Sequence, residues 1–210
     1  MLWILLGITI SYLIGSIPTA YIFGRIFKGI DIRKFGSGNV GATNVLRTLG
    51  KKSALFVLTL DMLKGVACVI FVAETLVPRI TSLDLLTLRL IMGISSICGH
   101  NWTIFLKFKG GKGVATTFGV MLGLAFKVIP LRYIFIILVL TWLVVFLITR
   151  IVSLASVISA CLLPVCMVIF KQPLILIVFA FLIAVSILLR HKSNLKRLFQ
   201  GKEERVHFKS

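Results

Sequence analysis

Apolar residues fall in long blocks along this chain, at 2–23, 54–77, 85–97, 114–129, 133–149, 152–170 and 174–189, and polar residues collect between them. A helix that crosses hydrocarbon needs ~20 mostly apolar residues, because each backbone N–H and C=O there must be bonded within its own segment. The blocks therefore predict an all-α integral membrane protein with about seven transmembrane helices. The third and fourth blocks are short. The third is expected to run on through Cys98 toward Trp102, and the fourth to start inside the glycine-rich stretch before it. The segment 133–170 would measure about 57 Å as one helix, nearly twice a ~30 Å hydrocarbon core, so Arg150 must mark a turn. Lys127, Pro130 and Arg132, and then Lys171 and Pro173, supply the charge and proline expected where helices end.

Composition strengthens the membrane reading. With 59% hydrophobic and 14% charged residues and a mean hydropathy of +1.08, 210 residues carry more apolar surface than a soluble domain of this size can bury. The start has no basic stretch ahead of its apolar block and no small-residue cleavage signal before Pro18, so it is expected to stay as a first span. Cys68, Cys98, Cys161 and Cys166 lie in apolar blocks without C-x-x-C spacing and read as reduced packing residues. No repeat or low-complexity tract appears, and residues 1–210 read as a single polytopic domain.

Lys and Arg number 24 against 6 Asp and Glu, a net charge of +18. In a soluble protein that excess would suggest nucleic acid. Here no nucleic-acid partner is expected, because cytoplasmic loops of membrane proteins are rich in Lys and Arg and lie against anionic membrane lipid. An anionic substrate pulls the same way. With seven spans, one side collects Arg25, Arg33, Arg47, Lys107, Lys109, Lys112, Arg150 and the basic tail as far as Lys209. The other has only Arg79, Arg89, Lys127, Arg132 and Lys171. The first side is then the cytoplasm, with the N-terminus outside and the C-terminus inside.

Three polar segments interrupt the blocks on that side. GSGNVGATNVLR at 36–47 joins Gly36 and Gly38, which let backbone N–H groups approach a ligand, to Ser37, Asn39, Thr43 and Asn44 as neutral hydrogen-bonding groups and Arg47 as a planar cation. That set suits a phosphate; a flexible polar loop with a helix N-cap is the plainer alternative. GHNWTIFLKFKGGKGVAT at 99–116 sets Lys107, Lys109 and Lys112 around Gly110, Gly111 and Gly113, ahead of a helix whose N-terminal end attracts anions. A Walker nucleotide loop is disfavoured, since Leu106 stands where that pattern needs glycine and Gly113 where it needs Ser or Thr. Phosphate binding of another geometry remains, beside the alternative that the lysines only set topology. His100, between Gly99 and Asn101, would lie at the mouth of such a site.

HKSNLKRLFQGKE at 191–203 offers His191 and Asn194, with Arg197 one turn past Asn194 on the same face. The surrounding cations favour a neutral His191, available as a base or hydrogen-bond partner; an interfacial anchor is the plain alternative. Within the bilayer, Asp61 and Lys64 stand at i, i+3 and are expected to pair as a tie between helices, although ionisable groups at that depth are also functional candidates.

Taken in order, these three segments resemble the three cytoplasmic motifs of the PlsY-type acyl-phosphate:glycerol-3-phosphate acyltransferases. GSIPTA at 15–20, Asp31 to Lys34 and DMLKG at 61–65 also look like that family, so the likeness spans essentially the whole chain. Thr103 stands where the family commonly has proline, and Leu195 where it commonly has isoleucine. The resemblance implies a bacterial inner-membrane enzyme that moves a fatty acyl group from acyl phosphate to the sn-1 hydroxyl of glycerol 3-phosphate. The products are lysophosphatidic acid and phosphate, no cofactor or metal takes part, and the enzyme is coupled to another that makes acyl phosphate. The chain lacks the His-x4-Asp signature of acyltransferases that use coenzyme A or carrier protein: Phe105 and Lys196 stand where the aspartate would follow His100 and His191. Ser37, His191 and Asn194 are then the catalytic candidates. Gly36, Ser37, Gly38, Asn39, Thr43, Asn44, Arg47, His100, Lys107, Lys109, Gly110, Gly111, Lys112 and Gly113 are those for phosphate. The alternative is an organic-phosphate transporter or channel, against which stand a single deep cation, Lys64, and no visible repeat.

Overall fold

The computed structural model describes residues 2–76 and 83–206. Val77, Arg79 and Lys209, which enter the reading above, lie outside these residues. The chain divides into two compact units, Met1–Lys127 and Val128–Ser210, and every regular element among the described residues is helical.

The first unit opens with α1 (Leu2–Ser16) and α2 (Thr19–Lys28), separated at Pro18, which has no N–H to give to the helix before it. The helical path thus continues past the expected end at Phe23. It stops at Gly29, whose φ of 63° is the left-handed conformation that closes a helix; its N–H returns to the Arg25 carbonyl. A short 3₁₀ turn at Ile32–Lys34 leads to α3 (Ala42–Leu49) and α4 (Lys51–Ala67), which runs on as a π-helix over Cys68–Leu76. Then come α5 (Leu85–Asn101), a 3₁₀ turn at Ile104–Leu106 and α6 (Val114–Lys127). The extension of α5 beyond Cys98 is as expected. α6, by contrast, begins after the glycine stretch rather than inside it, because Gly113 at φ 74° cannot open a right-handed helix.

Small residues let these helices touch. A Cβ on Gly15 would collide with the Ser96 carbonyl and one on Gly99 with that of Tyr12, which presses α1 onto α5. Gly65 against the Thr116 carbonyl and Gly119 against that of Met62 do the same for α4 and α6. Glu74 adds a polar tie, accepting from Arg89 at 2.8 Å and Lys127 at 3.0 Å.

The second unit contains α7 (Ile129–Thr149), α8 (Val152–Ile169), α9 (Leu174–Arg190) and α10 (Lys192–Phe199). Arg150 makes the expected turn, left-handed at φ 59°. Pro130 lies in the first turn of α7 and Pro173 caps α9, as their positions implied. All four cysteines are free; Cys68 and Cys166 are buried and Cys98 half-buried, but Cys161 is exposed on α8 and is not a packing residue.

Each of the seven apolar blocks carries a helix. Among the described residues, four stretches can cross a membrane by length and composition: Leu2–Lys28, Lys51–Thr75, Ile129–Thr149 and Val152–Ile169. A fifth is added if Leu174–Arg190 and Lys192–Phe199, bent by 63°, are taken together. α5 has 17 residues and includes Arg89 and His100, and α6 has 14. At ~1.5 Å per residue α6 reaches only about 21 Å of a ~30 Å core.

Candidate active site

The first glycine loop is shaped by one buried side chain. Asn44, fully buried at the start of α3, accepts the Ser37 N–H at 2.9 Å and donates to the carbonyls of Ile32 and Phe35, each at 3.1 Å. Gly36 and Gly38, at φ 57° and 70°, make the turn, and a Cβ on Gly36 would collide with Asn44 Oδ1. Beneath lie Ala20, Ile32, Val40, Val45, Ala54, Val57 and Leu106. Ser37 and Arg47 stay exposed, and Asn39 and Thr43 are half-buried, with Thr43 and Arg47 one turn apart on α3. Asn44 thus builds the loop with all of these bonds directed at its backbone.

Asp31, just before this loop, takes two bonds from Arg33, at 2.9 and 2.7 Å, and faces Arg25 at 3.9 Å. The Arg33 side-chain bond holds its carboxyl down at about 2.

The second loop is zipped to the end of α5. Gly110 donates its N–H to the Asn101 carbonyl at 3.2 Å and Gly111 to that of His100 at 3.0 Å. The glycines are required for fit: a Cβ on Gly110 would strike the His100 carbonyl, and one on Gly111 would strike both the His100 ring and the Val40 carbonyl. Val40 belongs to the first loop, so the two loops meet at Val40 and Gly111. A small cleft there is lined by Ser16, Thr19, Val40, His100, Gly110 and Gly111 among others. Below it the expected pair is present, Lys64 Nζ donating to Asp61 Oδ1 at 2.7 Å.

The lysines separate. Lys112 is half-buried between Gly111 and Gly113, whereas Lys107 and Lys109 are exposed beside the equally exposed Trp102, Ile104, Phe105 and Phe108. That mixture of cations and apolar rings suits a lipid headgroup layer. Gly38, expected to turn its N–H toward a ligand, instead donates it to the Phe35 carbonyl at 3.0 Å, and the N–H groups of Ser37, Gly110 and Gly111 are likewise engaged within the loops or with the end of α5. Beside those amides the two loops and the start of α3 carry Ser37 Oγ, Asn39, Thr43, Arg47 and Lys112 as polar side-chain groups, and α6 begins directly after them.

In the second unit His191 closes α9 and opens α10, and its Nδ1 lies 2.8 Å from the Ile187 carbonyl. That contact places the Nδ1 proton. Asn194 is buried and donates to Glu203 Oε1 at 2.5 Å; Arg197 Nε donates to Oε2 and Ser153 Oγ to Oε1, both at 2.7 Å. Burial pushes the Glu203 carboxyl up, but these bonds outweigh it and hold it below the ordinary glutamate range. Sequence reasoning did not single out Glu203. The available signal was that, of 6 acidic residues in the chain, it and its neighbour Glu204 fall in a tail otherwise rich in Lys and Arg.

Stacked apolar helices carrying two abutting glycine loops, with cations at their edges and a charged pair beneath, are the build of a multi-pass membrane protein. The profile of the glycerol-3-phosphate acyltransferase family matches residues 5–201. The glycerol-3-phosphate acyltransferase of Chlorobium phaeobacteroides (strain BS1) is 39% identical, covering 99% of this chain and 98% of that protein. Glycerol-3-phosphate acyltransferase 2 of Moorella thermoacetica is 42% identical over 96% and 97%. Among solved structures, crystals of PlsY, an integral membrane glycerol 3-phosphate acyltransferase, match in the glycerol 3-phosphate form with TM-score 0.83 and 34% identity, covering 97% of this chain and 96% of that one. The lysophosphatidic acid form matches with TM-score 0.80 and 33% identity, covering 97% and 95%. The chain belongs to the glycerol-3-phosphate acyltransferase family: it is an acyltransferase, not a transporter.

Proposed function

We propose that this enzyme transfers a fatty acyl group from acyl phosphate to the sn-1 hydroxyl of glycerol 3-phosphate, giving lysophosphatidic acid and inorganic phosphate. The observation that carries the proposal is the meeting of the two glycine loops at Val40 and Gly111, in a chain 34% identical to a PlsY crystallised in a glycerol 3-phosphate form. Acyl phosphate is a mixed anhydride. Its carbonyl carbon is already activated and phosphate leaves readily, so positioning and charge stabilisation suffice without a covalent enzyme intermediate. The acceptor hydroxyl oxygen bonds the carbonyl carbon, the bond from that carbon to the phosphate oxygen breaks, and the hydroxyl proton passes to a substrate phosphate oxygen. Arg47 and Lys112 hold the phosphate of glycerol 3-phosphate, Arg47 with its planar fork. Ser37, Asn39 and Thr43 donate to the remaining oxygens.

The enzyme lies in the bacterial inner membrane with about seven crossing helices, α5 and α6 being the short ones. Its N-terminus is outside, its C-terminus and basic loops are cytoplasmic, and it works as one domain. Acyl phosphate comes from the enzyme that makes it, and no cofactor or metal takes part. Purified protein given acyl phosphate and labelled glycerol 3-phosphate, in chelator and without coenzyme A or carrier protein, should form labelled lysophosphatidic acid. Product only from acyl-coenzyme A, or only after a divalent ion is restored, would overturn the donor and cofactor assignments. A reporter fused to the C-terminus should read as cytoplasmic.

A further inference from the structure

Asp61 and Lys64 are 1% and 6% exposed, and the reaction just described does not use them. As a tie between helices the pair is a poor device. A buried ion pair roughly breaks even against apolar residues of the same volume, and both residues belong to α4, so the bond between them joins no two helices. Their other partners are more informative. Asp61 Oδ1 accepts from Thr19 Oγ1 at 2.6 Å and lies 3.7 Å from Nδ1 of His100, while Lys64 Nζ donates to the Ile17 carbonyl. Ile17 and Thr19 flank the proline break between α1 and α2, and His100 stands one residue before the end of α5. The far side of the same imidazole, at Nε2, occupies the place where a Cβ on Gly111 would fall, and the His100 carbonyl takes the Gly111 N–H. The ring therefore stands between a buried carboxylate and the second glycine loop.

We infer that Asp61 is a positioning residue for phosphate binding, holding His100 and through it the backbone at 110–113 that carries Lys112, with Lys64 balancing its charge. The role rests on the reading of this loop as a phosphate site. The Asp61 carboxylate, itself held by the Thr19 hydroxyl, faces one edge of the ring at 3.7 Å, and the other edge sets how closely Gly111 can approach Val40. A ligand-holding cation performs well only when the groups supporting it are locked to within about 0.5 Å. Gly65 and Gly119 bring α4 against α6, the helix that leaves the loop, so the same α4 segment anchors both ends.

Removing both charges at once separates positioning from mere support. Asp61→Asn combined with Lys64→Met leaves no uncompensated buried charge, so the double variant should keep a melting temperature close to wild type. Its binding of glycerol 3-phosphate, measured by calorimetry in detergent, should weaken on the order of 10-fold, with KM rising in parallel and kcat falling less. Added to His100→Gln, the same two changes should weaken binding by less than about twofold further, because Asp61 acts through the ring. Wild-type affinity in the folded double variant, or a full further 10-fold loss on top of His100→Gln, overturns the role. Thr19→Val provides the check if the double variant does not fold: it removes one bond to Asp61, and an unchanged KM would overturn the role equally. Wild-type protein that binds glycerol 3-phosphate without transferring an acyl group would refute the proposed reaction and leave the positioning role standing. Failure of wild type to bind it would refute both.

Discussion

Asp61 in the first unit and Glu203 in the second gather similar partners in opposite settings. Asp61 takes the Thr19 hydroxyl and the Lys64 ammonium and faces His100; Glu203 takes the Ser153 hydroxyl, the Arg197 guanidinium and the Asn194 amide. Asp61 sits inside α4 with its cation on the same helix, so its network exists once α4 has packed. Glu203 lies beyond α10, after a left-handed turn at Gly201 of φ 66°. Its network closes only when the tail folds back and the Val206 N–H reaches the Arg150 carbonyl at 2.8 Å. The same chemistry is thus core in one place and clasp in the other. The first should fail with the whole unit and the second locally.

The largest expected effect tests the core side. Lys64→Ala leaves Asp61 buried without its cation and should lower stability by about 3–5 kcal/mol, read by thermal unfolding in detergent. A loss no greater than that of Glu203→Gln would erase the distinction.

Glu203→Gln should remove about 1.5–3 kcal/mol, as expected for bonds to a charged group, and do so locally. Protease should cut beyond Phe199 while the first unit still melts at its usual temperature. Acid gives the sign of the same effect. A carboxyl held below its ordinary range favours the charged, folded state, so its contribution is complete above the unfolded glutamate value of ~4.3. It is lost as pH falls through the lowered value. The wild-type tail should therefore resist protease at neutral pH and be released only once pH has fallen below the ordinary glutamate range, whereas the Gln variant is released throughout. Asp31, held at about 2, should keep its ion pair with Arg33 until pH falls toward that value.

Arg47 is exposed on α3, and its loss should appear in activity more than in melting. Arg47→Ala should lower kcat/KM for glycerol 3-phosphate by roughly 10- to 150-fold, and Arg47→Lys should recover only part. Full rescue by lysine would return Arg47 to the role of a loop anchor. Ser153→Ala should have the smallest effect, about 1 kcal/mol in tail release, because Asn194 and Arg197 still hold Glu203.

How much of this was legible differs by residue. The Asp61–Lys64 pair was readable because i, i+3 spacing on a helix is local geometry. The turn at Arg150 was readable from length against bilayer thickness. Asn44 was readable as a polar member of the first loop, but not as the side chain that builds it, because its partners at Ile32, Phe35 and Ser37 depend on how the chain returns over α3. Gly110 and Gly111 were readable as glycines a loop needs. That their N–H groups bond the carbonyls of His100 and Asn101 at the end of α5 was not readable from the sequence. Lys107, Lys109 and Lys112 looked alike along the chain, and only burial separates them.

Residue order alone determined the membrane class, the seven helical blocks, their proline and arginine breaks and the family likeness of the three motifs. All of these follow from local periodicity, from the hydrocarbon's demand that each segment satisfy its own backbone, and from motif spelling. Tertiary structure alone decided that Val40 meets Gly111, that His100 stands between Asp61 and a glycine loop, and that Glu203 clasps Asn194 to Arg197. Those meetings depend on how closely helices approach where glycine removes a side chain, and on where a tail folds back. Distances of that kind arise between segments remote in sequence, and no local pattern encodes them.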